Sequence, residues 1–215
     1  LWPLKFLPIP NSQPIIERNV ISENFVEDER GGGIFCYTDS LAIIKSNIII
    51  NNYAREIGGG ICLWGAEAFI EENIIANNKT LENGGGIGGI YSVLNIFNNS
   101  IVNNSTGYMG GGIHFVHEDG YGYNGFMLAL NNIVWDNKGE SEIHTRGPFT
   151  IAYNDISRSE FCGQKGNICA NPFFVDPENN NYHLQPNSPC IDAGDPNSPF
   201  DPDGTRADIG ALFYN

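Results

Sequence analysis

Charge is scarce in this 215-residue chain. Only 17% of residues are charged, and 11 basic side chains face 25 acidic ones, for a formal net charge of −14. A balance this acidic argues against nucleic acid and against anionic membranes as partners. Long apolar runs are missing as well, so no segment is read as spanning a bilayer and no membrane insertion is expected. Methionine is nearly absent (2 residues), whereas glycine (26) and asparagine are plentiful. That mix favours turns and strands over helices. No CxxC or Cys/His spacing of the zinc type occurs among the five cysteines. The start, "LWPLKFLPIPNSQ", has no initiator Met, and prolines break the apolar stretch that a signal peptide needs. It reads as the start of a mature secreted product or of a fragment of something longer.

What the chain does have is a period. Triple glycines begin at Gly31, Gly58, Gly84 and Gly110, in steps of 27, 26 and 26, each directly before an isoleucine. A second motif, N-x-(I/V)-x-x-N, recurs beside them. Its first asparagine forms the column Asn19, Asn47, Asn73, Asn99, Asn132 and Asn154, with steps of 28, 26, 26, 33 and 22. Three residues before it stand Ile16, Ile44, Ile70, Ile96, Ala129 and Ile151. Two residues after it stand Ile21, Ile49, Ile75, Ile101, Val134 and Ile156, and five after it Asn24, Asn52, Asn78, Asn104 and Asn137. Apolar columns at constant offset mean that each repeat stacks its side chains on the same residue type in the next. The apolar runs are short, β-branched and bounded by Asn and Gly, which are strand and turn signals. Three short strands and three turns fit one coil of a solenoid, with parallel strands stacking at roughly 4.8 Å per coil. The asparagine columns then form ladders of side-chain amides in turns. The glycine columns suit a corner of positive φ where coils approach closely.

These motifs resemble the right-handed parallel β-helix family of secreted and surface proteins with NxIxxN…GGGI coils. The ending "NPFFVDPENNNYHLQPNSPCIDAGDP…DPDGTRADIGALFYN" is similar to the C-terminal ending of many bacterial β-helix surface proteins, with Cys190 in place of the usual Ala. The resemblance implies an all-β, right-handed parallel β-helix of about six to seven coils. It divides the chain into an extended segment (1–13), coils (14–170) and a capping region (171–215) folded over the last coil. The segment 1–13 either lies on its own helix as a partial cap, docks on a neighbouring subunit or marks where a longer chain was cut. An open N-terminal edge would permit head-to-tail stacking of the chain on itself.

Candidate sites follow from the irregularities. The 33-residue step holds an insertion in "HFVHEDGYGYNG" (114–125), and loops on rigid scaffolds are where function tends to sit. His114, His117, Glu118, Asp119, Tyr121 and Tyr123 suit sugar binding, the alternative being a decorated surface loop or an acid/base or metal site. Asp201, Asp203 and Asp208 around Gly204 are candidates for a structural Ca²⁺, although the EF-hand frame is missing; the alternative is a capping turn. Cys162 and Cys169 flank a loop that a disulfide would close, whereas Cys36 and Cys190 read as buried small hydrophobes and Cys62 is out of register with Cys36. Asn98 and Asn103 are candidates for N-glycosylation, while Asn78 and Asn104, also in sequons, fall in the ladder. Paired aspartates of glycosidases, a basic residue beside a carboxylate cluster, and Ser-His-Asp groupings are not recognisable. The expectation is therefore a non-catalytic extracellular or cell-surface structural protein: a stalk, an adhesin or a filament subunit with itself as partner. The alternative is a module binding polysaccharide, and a polysaccharide lyase or hydrolase rests on fold analogy alone.

Overall fold

Residues 61–80 illustrate how one coil is made. Ile61–Trp64, Glu67–Glu71, Ile74–Ala76 and the two-residue strand Lys79–Thr80 follow one another. Between them, Gly65, Glu72 and Asn77 have φ of 62°, 54° and 57°. Single left-handed residues let the chain turn sharply without a loop. The same pattern repeats through the molecule, which we describe from a computed structural model over residues 13–118 and 125–214.

The chain is an all-β parallel solenoid. Two faces hold six parallel strands each, a third holds five and a short fourth holds three. The first face runs from Ile15–Glu17 to Phe149–Ala152, and the second from Val20–Ser22 to Asp155–Ile156. The five-stranded face, here the glycine face, follows the triplets from Ile34–Tyr37 to Ile143–Arg146. The short face, Phe25–Val26, Tyr53–Ala54 and Lys79–Thr80, adds a fourth side to coils expected to have three. Register follows the sequence columns: Ile16 pairs with Ile44, Ile44 with Ile70, Ile70 with Ile96, and Ile96 with Ala129. On the second face Ile49, Ile75, Ile101 and Val134 align likewise. Both columns lie in one buried core with Ile61, Leu63, Ile87, Ile113 and Phe115.

Two ladders of asparagine run the length of this core. In the first, the backbone N–H and Nδ2 of each asparagine donate to Oδ1 of the asparagine one coil on, at 2.9–3.2 Å, from Asn19 to Asn154. From Asn47 on, Nδ2 also donates to a carbonyl of the preceding coil, as from Asn73 to Ile44 at 2.8 Å. Asn24, Asn52, Asn78, Asn104 and Asn137 form the second ladder at 2.8–3.1 Å. Buried amides are tolerable only when paired in this way.

The glycine triplets serve two needs. The first of each, such as Gly58, has φ of +65° to +70°. The second and third allow close approach: a Cβ on Gly59 would stand 2.5 Å from the carbonyl oxygen of Gly85 and 2.7 Å from backbone atoms of Lys79.

The C-terminal region departs from expectation. Residues 171–214 lie along the outside of the second face. Tyr182, Leu184, Cys190 and Ile209 pack on Ile74, Ala76, Val102 and Ile133. Asn77 donates to Asn180 at 3.2 Å, and Ala211 N–H to Ser100 at 3.1 Å, so the region reaches back several coils. The reason is that this face is apolar on its outer side as well as its inner side. Residues 157–170 close the end of the stack instead. Phe161 packs against the core, and Cys162 is disulfide-bonded to Cys169. Asn167 Oδ1 accepts from Asn154 N–H and Nδ2 at 2.9 and 3.1 Å. The N-terminal segment 1–13 lies outside the described residues apart from Gln13.

Replacing Asn78 by Ala strands Asn52 N–H and Nδ2 and the carbonyl of Ile49 in the core. At about 1–3 kcal/mol per stranded group, urea denaturation is expected to show a loss of roughly 3 kcal/mol or more. Lys79→Ala, one residue away and exposed, is expected to change stability by less than about 0.5 kcal/mol. Equal losses would contradict the ladder's role.

Candidate functional site

The insertion departs from the glycine face. Residues 117–125 join Ile113–Val116 to Phe126–Leu130, where two residues, 91–92, make the same connection one coil earlier. Asp119, Tyr121 and Tyr123 lie outside the described residues, so the candidate site is built here from its neighbours.

His114 is not in the loop. It sits within the strand, paired with Gly88 and His144, in the outward column Phe35, Cys62, Gly88, His114 and His144. It is nevertheless buried, because the triplet turn folds back over this column: a Cβ on Gly110 would lie 3.0 Å from His114 Cα. Its ring stacks on His144 at 5.1 Å and 15°, and its Nδ1 has no hydrogen-bond partner. Burial first, and the neighbouring His144 second, push its pKa down to about 4. His114 is thus covered within a strand of the glycine face rather than carried on the insertion. His117 is also buried, with its ring edge-on to Tyr91 at 6.3 Å. Glu118 accepts an ion pair from Arg146 at 2.8 Å.

Residues that the sequence reading passed over complete this flank. Trp64 meets Tyr91 edge-to-face at 6.0 Å. The Arg30 guanidinium lies 4.0 Å from the Trp64 ring centroid and 2.8 Å from Glu56. Trp64, Tyr91 and His117 thus form a succession of rings from three coils, leading to the insertion. Trp64 aligns with Tyr37 and Ile90, so the paired apolar and aromatic letters four residues after each triplet were the available signal.

The three aspartates do not converge on a cation. Asp208 Oδ1 and Oδ2 accept from the N–H groups of Asp192 (2.7 Å) and Tyr214 (2.6 Å). Asp201 accepts from Asp208 N–H at 2.8 Å, and Asp203 from Thr205 N–H at 2.9 Å. Their oxygens organise backbone turns, and no group of three or more His, Cys, Asp or Glu among the described residues is arranged to hold a metal. Arg206 donates to the carbonyls of Gly194 and Ala193 rather than to Asp208. These turns line a cleft of about 710 Å³ between the C-terminal region and the coils, with Phe200, Phe213 and Tyr214 on its wall.

Of the two sequon candidates, Asn103 is exposed and Asn98 is half-buried, with Nδ2 against the Asp208 carbonyl at 3.4 Å. The C-terminal region therefore covers Asn98 and leaves Asn103 the more open. Cys36, Cys62 and Cys190 are free and buried. Cys190 Sγ donates to Asp155 Oδ2 at 3.2 Å, and Asp155 Oδ1 accepts from Ala170 N–H at 3.1 Å. Burial raises the Asp155 pKa to about 6.

Family models, curated proteins and solved structures give no match to this chain. No helix among the described residues is long and apolar enough to cross a membrane.

The two shifted groups respond to pH in opposite senses. Asp155 titrates near 3.8 when unfolded and near 6 when folded, so its contribution is complete below pH 3.8 and lost as pH rises through 6. His114 moves from 6.5 to about 4, so its contribution is present above pH 6.5 and lost as pH falls through 4. Relative to the parent chain, Asp155→Asn is expected to gain on the order of 2–3 kcal/mol as pH rises from 4 to 7.5. His114→Leu is expected to gain similarly as pH falls over that range. Urea midpoints at half-unit intervals measure both, and a flat difference profile for either variant would refute its assignment.

Proposed function

We propose that this chain is a non-catalytic structural solenoid of the extracellular space or cell surface, serving as the end piece of a stalk or adhesin. We place it with the right-handed parallel β-helix surface proteins that its repeats resemble. The supporting observation is that the two ends of the stack are unlike. One end is closed by Phe161, by a disulfide-bonded loop, and by Asn167 and Glu142, which take up the last donors of the two ladders. The other end presents first-coil strands on which Ile15, Val20 and Phe25 are 65–68% exposed. A closed end favours a stalk tip over a subunit of an unlimited head-to-tail filament. The Cys162–Cys169 disulfide favours an oxidising compartment.

A second reading rests on the rings of Trp64, Tyr91 and His117 beside the insertion. Such rings, with Arg30 and Glu56 as hydrogen-bonding neighbours, suit the faces and hydroxyls of a polysaccharide.

Labelling intact producing cells with a membrane-impermeant amine reagent is expected to tag the chain. Tagging only after lysis would overturn the surface assignment. Light scattering and electron microscopy of the purified chain are expected to show no long filaments, and filaments would overturn the end-piece role. For the second reading, a glycan array is expected to give a signal that Trp64→Ala reduces at least tenfold and that a chelator leaves unchanged.

A further inference from the structure

The first-coil edge, uncovered among the described residues, has a polarity that specifies what covers it. In the second coil, the backbone N–H at three positions reaches back to the first. Ile43 donates to Pro14, Ile48 to Asn19 and Tyr53 to Asn24, each at 2.9 Å. Their first-coil equivalents by register are Ile15, Val20 and Phe25, so those N–H groups face outward from the edge. The ladders point the other way. Each asparagine Oδ1 accepts two protons from the asparagine of the preceding coil, as Asn47 does from Asn19. Asn19 and Asn24 therefore present Oδ1 acceptors at the edge, and no donor among the described residues reaches them. Asn19 Nδ2 donates to the Glu17 carbonyl of its own coil at 2.9 Å, as Asn99, Asn132 and Asn154 do to the residue two before them.

A two-fold copy of the chain would set these acceptors against identical acceptors. The chain's own far end cannot supply donors either, since Asn154 is taken by Asn167 and Asn137 by Glu142. We infer that the first-coil edge is a docking surface for a partner chain: another asparagine-laddered β-solenoid whose last coil is uncapped. That coil offers two asparagine amides five residues apart, matching Asn19 and Asn24, and strand carbonyls for Ile15, Val20 and Phe25. The inference rests on the proposed end-piece role and adds the chemistry of the partner.

Two experiments on the full chain test it. In the first, a second copy of residues 43–68 is inserted directly before Ile15, which supplies one such coil in register. Hydrogen exchange is expected to slow at least a hundredfold at the amides of Ile15, Val20 and Phe25. The protection is expected to fall at least tenfold when the inserted counterparts of Asn47 and Asn52 are both Ala. Unchanged exchange at those amides, or equal protection by the Ala version, would overturn the matching of donors to Asn19 and Asn24. In the second, the native chain is mixed with a chain opened at its cap by Glu142→Gly, Asn167→Gly, Cys162→Ser and Cys169→Ser, whose own edge is blocked by Asn19→Leu and Asn24→Leu. A one-to-one pair by light scattering, lost when the native partner carries Asn19→Leu and Asn24→Leu, supports docking between chains. Protection in the first experiment without pairing in the second would assign the edge to a coil of the same chain and overturn the partner. Two-fold dimers of the native chain through Val20 and Phe25 would overturn the polarity. Surface labelling reads the parent proposal separately, so failure of one is distinguishable from failure of the other.

Discussion

The buried asparagine amide that finds both its donors and its acceptors one coil away is the constraint on which this structure rests. An amide sealed in an apolar core without partners destabilises by several kcal/mol. Here its carbonyl oxygen is met by the coil before it, and its protons go to a carbonyl of that coil and to the Oδ1 of the next. No coil satisfies its own asparagines. Each coil is therefore stable only as a member of a stack, and the isoleucine columns supply apolar burial in the same register. The glycines follow from the same requirement, because side chains on Gly59 and Gly60 would hold neighbouring backbones apart.

The ladder also explains the molecule's unusual residues. Glu142 stands where Gly33, Gly60, Gly86 and Gly112 stand in earlier coils. With no further asparagine above Asn137, its carboxylate occupies that place and accepts from Asn137 N–H and Nδ2 at 3.1 and 2.8 Å. Burial raises its pKa, while hydrogen bonds from Ser157 and Asn137 and the nearby Arg158 oppose the rise. Asn167 does the corresponding work above Asn154, supplied by the disulfide-closed loop. A rung can thus be ended by any acceptor in the right place, and the chain uses two different ones.

The stack was legible in the sequence because a solenoid writes its contacts as a period: Asn47, Asn73 and Asn99 are neighbours in space because they are 26 residues apart. The 33-residue step likewise located the insertion. What the period does not encode is anything that happens once. Asn167 lies 13 residues beyond Asn154, half a coil away, so it falls in no column. The course of residues 171–214 was hidden for a different reason. Attention to Ile49, Ile75 and Ile101 as the inward column left Ile74, Ala76, Val102 and Ile133 unread, although apolar letters on both sides of a strand mean burial on both sides. The run from His114 to Gly125 reads as one insertion, whereas His114 belongs to the strand Ile113–Val116, where the folded-back triplet turn covers it.

Among the described residues one end is closed and the other is not, a directional arrangement that is chemical as well as geometric. Apolar surface alone would accept any greasy partner. Outward N–H groups at Ile15, Val20 and Phe25, set beside outward acceptors at Asn19 and Asn24, accept only a complementary order of carbonyls and amides. A slip of one residue along the strand would turn the isoleucines outward and separate the amides together. In the proposed docking, the neighbour that the first coil takes is selected by the same asparagines that hold the interior together.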